Sequence, residues 1–99
     1  MFARVSRFEG SPERMDEALR HVREQVLPQL QRQDGSKGLI ALGDRQSGTV
    51  LGVTLWESEE AMQASEEEAN RLREDSAEAA DQTVANVERY EVALFEVSE

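Results

Sequence analysis

Chemistry has few places to start in this chain of 99 residues, which holds one histidine, one tryptophan, one tyrosine and no cysteine. Trp56 ends the apolar run GTVLGVTLW, just before Glu57 and Ser58. Its ring can stack on a flat aromatic ligand, and its N–H can orient a carbonyl or hydroxyl. The same side chain can equally be the main plug of a small core. His21 exchanges a proton near neutrality, as a base that ionises a phenol must, although helix flanks also carry histidines with no such duty. Arg4 and Ser6 alternate with Phe2 and Phe8 in MFARVSRFE and are the polar groups of that strand face. Arg89 and Tyr90 point to opposite sides of a later strand, so one of them can reach a pocket or cross a subunit interface; tyrosine is also simply a good strand residue. Asn70 lies near the apolar edge of a helix and can turn into a groove. Trp56, Ser6, Arg4, Tyr90, His21 and Asn70 are therefore the candidate substrate-binding residues, and none is assigned as catalytic.

Other chemistries find little support. A lone histidine, no cysteine and acids such as Glu66, Glu67 and Glu68, which fan around a helix, give no metal site. No GxGxxG or GxxxxGK pattern offers a phosphate cradle. Neither a metal nor an organic cofactor is expected. Eleven basic against twenty-one acidic residues give a net charge of −10. Such a surface repels phosphate backbones and anionic lipid. Arg4, Arg7, Arg14, Arg20 and Arg23 are interleaved with acids, so no nucleic acid is expected as a partner. No window approaches the roughly 20 apolar residues of a membrane helix, and the N-terminus has no secretory h-region. A cytoplasmic protein with a single domain over residues 1–99 is the expectation.

The elements that would position these residues follow from periodicity. Phe2 to Phe8 alternates as a strand. Ser11-Pro12-Glu13 opens a helix, with Ser11 as cap and proline at the first position. Met15, Ala18, Leu19, Val22, Val26 and Leu30 form its apolar stripe, and Pro28 should kink or loosen its last turn. Gly38 to Gly43 is a short strand, Asp44 to Gly48 a hairpin connection, and Thr49 to Trp56 a third strand. In that strand Val50, Gly52, Thr54 and Trp56 face one way and Leu51, Val53 and Leu55 the other. Ser58 caps a second helix running to about Ala80. Val84 to Val97 is the last strand, apolar on both faces. The order is β-α-β-β-α-β, a ferredoxin-like split βαβ α+β fold with helices on one face of an antiparallel sheet. The other face, carrying Trp56 or its neighbours and part of the last strand, is too apolar for a monomer. A homodimer through the sheet face and the last strand is expected.

The chain resembles the antibiotic biosynthesis monooxygenase family of the dimeric α/β barrel superfamily. The resemblance covers nearly the whole sequence. It rests on Val26-Leu27-Pro28, the Gly38 to Asp44 strand and turn, Gly48 to Ser58 ending in LWES, and VERYEV from Val87 to Val92. It implies a dimeric α/β barrel and one of several activities: cofactor-free oxygenation of aromatic polyketides, haem degradation or quinol handling. The haem-degrading members share the tryptophan but add a strand-one asparagine and a histidine about ten residues past the tryptophan, where this chain has Ser6 and Glu66. The polyketide oxygenases place an asparagine four residues before the tryptophan and a tyrosine six after it, where this chain has Gly52 and Met62.

Two readings of function result. One is a monooxygenase without cofactor, acting on a small aromatic or quinol-type substrate, with Trp56 holding the ring and Tyr90, Arg4 or His21 orienting or deprotonating a hydroxyl. The other is a non-catalytic dimer that binds a small ligand or serves a structural role.

Overall fold

Alternation along MFARVSRFE makes the strand around which the sheet is built. A computed structural model describes residues 1–98. In chain order it contains β1 (Phe2–Glu9), α1 (Met15–His21), α2 (Leu27–Gln31), β2 (Ser36–Asp44), β3 (Thr49–Trp56), α3 (Glu59–Ala64), α4 (Glu66–Ala79) and β4 (Thr83–Glu91). The strand order is β2-β3-β1-β4 and every pairing is antiparallel. This is the ferredoxin-like α+β arrangement, with the helices over one face. Gly48 closes the β2–β3 connection with φ +84°, where an added Cβ would strike the Gly10 carbonyl oxygen, so only glycine fits that turn.

The helices are more broken than periodicity suggests. The first helical stretch begins as a 3₁₀ turn at Pro12–Arg14, and the Ser11 hydroxyl bonds the Glu13 carboxylate instead of capping the backbone. Between α1 and α2 lies a π-helical turn, Val22–Val26, in which the Leu27 N–H reaches back to the Val22 carbonyl. Pro28 has no N–H for the carbonyl four residues before it, and the widened turn accommodates that loss. The second helix is also split. The Ser65 hydroxyl donates to the Met62 carbonyl at 2.7 Å, and this competition with the backbone ladder separates α3 from α4. Ser58 does cap α3, its Oγ accepting from the Ala61 N–H at 3.1 Å.

The last strand ends earlier than its composition predicts, at Glu91 and not Val97. β1 begins at Phe2, so the ladder runs out of partner; the Val92 N–H makes one more bond, to the Met1 carbonyl. Leu94, Phe95 and Val97 lie beyond it, exposed.

The two sheet faces divide as the alternation requires. Phe2, Arg4, Ser6 and Phe8 of β1 face the helices with Val50, Gly52, Thr54 and Trp56 of β3. Register puts Phe2 opposite Trp56, Arg4 opposite Thr54 and Ser6 opposite Gly52. Trp56 is therefore on the helix side, 1% exposed, and its neighbours Leu51, Val53 and Leu55 occupy the open face. That face also carries Ile40, Leu42 and Tyr90, the last two 50% and 52% exposed. The helix-side core has two centres. Phe8, Met15 and Val50 pack together at one end, and Leu30, Trp56 and Met62 at the other.

Candidate functional site

Small residues between those two centres leave space. Ser6 and Gly52 are directly opposed in mid-sheet, and neither fills the gap between the bulky Phe8 end and the Trp56 end. The result is a partly open cavity of about 70 Å³. β1 contributes Arg4, Ser6 and Phe8 to it, β3 contributes Gly52, Thr54 and Trp56, and β2 adds Leu39. Val22 and Val26 of the π turn, Leu30 and Gln33 form the wall on the side of the first helical stretch. α4 closes the other side with Ala69, Leu72, Arg73 and Ser76, which follow the i, i+3, i+4, i+7 spacing of one helix face.

Arg4 is 2% exposed, a rare position for a guanidinium unless it is fully paired. Its Nη2 donates to the Met62 carbonyl at 2.7 Å, to Ser65 Oγ at 2.8 Å and to Glu66 Oε2 at 3.0 Å. It thereby ties the middle strand to the α3–α4 break. Its guanidinium carbon lies 5.5 Å from the centre of the Trp56 ring, within cation–π range. Burial pushes Arg4 below its usual pKa, and the bond to Glu66 opposes that shift.

Glu66 is shared. Its Oε2 accepts from Arg4 and from Arg89 Nε at 2.8 Å, while Oε1 accepts from Arg89 Nη2 at 2.6 Å. The Arg89 hydrogen bonds, opposed by burial and reinforced by Arg4, hold the Glu66 carboxyl at about 2. The Trp56 indole N–H donates to Thr54 Oγ1 at 3.0 Å. The indole N–H is therefore already committed, and the hydroxyl proton of Thr54 is the one directed elsewhere.

Of the six candidate residues, the structure brings Trp56, Ser6 and Arg4 to this cavity. His21 sits half-buried at the end of α1 and does not line it. Tyr90 is on the open sheet face, its hydroxyl donating to Glu88 at 2.7 Å; Arg89 is the neighbour that faces the helices. Asn70 borders a separate, shallow polar depression with Glu67, Glu68, Arg71 and Glu74. Arg73, Thr54, Ser76 and Gln33 are cavity residues that the candidate set lacks. The signal for Arg73 and Ser76 was present, since they continue the helical spacing of Ala69 and Leu72. Among the described residues no cluster of three or more His, Asp or Glu side chains is placed to hold a metal ion, and no helix is long and apolar enough to cross a membrane.

No family model matches the chain. The uncharacterized protein Rv2557 of Mycobacterium tuberculosis is 40% identical over 95 residues, which is 96% of this chain and 42% of that protein. The chain thus spans about two-fifths of the length of the curated relatives it matches. Solved structures align over nearly everything. A Deinococcus radiodurans protein provisionally named as an antibiotic biosynthesis monooxygenase superposes with TM-score 0.72 at 18% identity, covering 100% of this chain and 99% of that one. The monooxygenase ActVA-Orf6 of Streptomyces coelicolor, solved in complex with nanaomycin D, gives 0.70 at 15% identity, covering 98% and 92%. SnoaB, a cofactor-independent oxygenase of Streptomyces nogalater, gives 0.66 at 16% identity, covering 95% and 94%. The chain has the fold of the antibiotic biosynthesis monooxygenases.

Proposed function

We propose that the cavity beside Trp56 holds a small aromatic or quinol-type substrate and that the chain acts on it as a cofactor-independent monooxygenase. The observation that carries this reading is the cavity itself: an apolar slot between sheet and helices, with an aromatic face at one end and two guanidiniums in its walls. Its likeness in fold to named oxygenases, one of them solved with nanaomycin D, supports the same reading. At about 70 Å³ the cavity is smaller than the roughly 150 Å³ enclosed space that benzene fills. A single ring therefore seats part way, with its far edge in the mouth. A quinol carries its own electrons. Quinol and O₂ give hydroxyquinone and water: one oxygen atom joins a ring carbon, and the other leaves with two hydrogens. The protein's part is to hold the ring flat, stabilise its anion and exclude water.

The working unit in this reading is a homodimer, with the open face of one sheet covering that of the other. Ile40, Leu42, Leu51, Val53 and Tyr90 make up an apolar area that water would otherwise meet. A second reading, a non-catalytic ligand-binding or structural dimer, is favoured by one observation. The titratable groups lining the cavity are arginines alone, so no wall offers a base. Oxygen uptake with 1,4-benzoquinol, measured above the protein-free rate and with isotopically labelled O₂, separates the two. Saturable uptake with label in the hydroxyquinone supports the monooxygenase. Binding of the quinol without uptake leaves the second reading in its place.

A further inference from the structure

The charges around the cavity do not balance. Arg4 and Arg89 share a single carboxylate, Glu66. Arg73 adds a third guanidinium from the α4 wall, and no salt bridge ties it to an acid among the described residues. Its Nη1 is buried and has no hydrogen-bond partner. A buried charged donor without an acceptor is costly and calls for explanation. Burial first, and then the nearby Arg4 charge, push the Arg73 guanidinium below its usual value; Glu66 and Glu74 oppose that shift and Arg89 adds to it. In a chain of net charge −10, this is a local excess of positive charge facing an apolar slot.

We infer that the ligand of this cavity is an anion, a single planar ring bearing one ionised oxygen, and that the Arg73 guanidinium in the cavity wall supplies its hydrogen bond. The inference rests on the reading of the cavity as the ligand site and adds the chemical class. An apolar body suits the walls of Leu39, Leu72 and the Trp56 face, and one anionic atom suits the unpartnered guanidinium. For a quinol this means that the phenolate is bound in preference to the phenol. The arginine then supplies by charge stabilisation what the missing base would supply by proton transfer. Arg73 is a specificity residue in this scheme, and Arg4, already committed to Met62, Ser65 and Glu66, holds the ring face.

The test uses the intact protein and two one-ring probes, 4-nitrophenol, which ionises near neutrality, and 4-nitroanisole, which does not ionise. Both nitroaromatic rings quench tryptophan, and Trp56 is the sole tryptophan of the chain. Affinities are read well below and well above neutrality. The phenolate should bind about tenfold more tightly than the phenol, as expected for one charge-assisted hydrogen bond, while the anisole stays constant. The visible band of the bound phenolate should appear about one pH unit lower than that of the free compound. Arg73→Met should abolish both effects and leave the anisole bound, and Arg73→Lys should keep most of them. Equal affinity for phenol and phenolate, with the anisole still quenching, overturns the anion inference and leaves the cavity reading standing. No quenching by either probe overturns both. The wild-type comparison decides the matter by itself if Arg73→Met fails to fold.

Discussion

Filling the cavity floor at Gly52 separates binding from stability. A Cβ built on Gly52 lies 3.8 Å from Phe8 Cε2, an ordinary contact, and Gly52 is not among the glycines with positive φ. Gly52→Ala therefore adds a methyl without moving the backbone. Restricting a glycine within a strand is worth roughly 0.5–1 kcal/mol, and burying one methyl adds about 0.8 kcal/mol. Discounting for the half-buried position leaves about 1 kcal/mol, which in a domain of this size raises Tm by about 4–8 °C. Gly52→Val pushes two more carbons into the slot; overpacking a filled core would cost about 1–3 kcal/mol, but here there is room. The assay is thermal unfolding by circular dichroism at one fixed protein concentration, since association shifts Tm, alongside quenching of Trp56 by 4-nitroanisole. The expected pattern is a higher Tm with weaker binding for alanine, and a near-unchanged Tm with binding abolished for valine. A Tm that falls by more than about 4 °C in Gly52→Ala, or undiminished binding in Gly52→Val, refutes the cavity geometry.

Trp56→Phe and Thr54→Val, singly and together, should show a coupling of about 1 kcal/mol in urea unfolding, from the indole N–H to hydroxyl bond; additivity within about 0.3 kcal/mol would mean that the bond contributes nothing. Glu66 has its carboxyl lowered from 4.5 to about 2, so its contribution is fully present above pH 4.5 and is lost as pH falls through about 2. Glu66→Gln should lower stability at neutral pH and flatten the acid limb within that window, whereas identical acid limbs in both proteins would show that the Arg4–Glu66–Arg89 arrangement is energetically idle. Leu42→Glu, on the open sheet face at 50% exposure, should convert a dimer of 11.1 kDa chains to a monomer in sedimentation; a monomeric wild type at micromolar concentration would contradict the paired-sheet proposal.

What was legible in the sequence is what period-two alternation encodes. Arg4, Ser6 and Phe8 share a face because they are two residues apart, as do Gly52, Thr54 and Trp56, and their meeting in one cavity follows once β1 pairs with β3. The bond from Trp56 to Thr54 lies within the same alternation. The side of Tyr90 was not legible, because it depends on the register of β4 against β1, in which Arg89 pairs with Arg4 and Tyr90 with Ala3. Nor was the pairing of Glu66 with Arg4, residues 62 apart in sequence, since nothing local announces it. Arg73 was missed for a different reason. A charged residue beside a stripe of small apolar ones reads as a solvated flank, and only the gap left by Ser6 and Gly52 turns that flank into a wall. The breaks at Ser65 and in Val22–Val26 come from hydroxyl competition and from Pro28, which change helix geometry without changing the apolar period.

The most direct measurement of the central claim is a crystal structure of the protein grown with 4-nitrophenol above neutral pH. The ring is expected in the slot between Trp56 and Leu72, its ionised oxygen within hydrogen-bond distance of the Arg73 guanidinium. Density for the ring on the open sheet face or in the depression beside Asn70, with the slot closed by its own side chains, would contradict it.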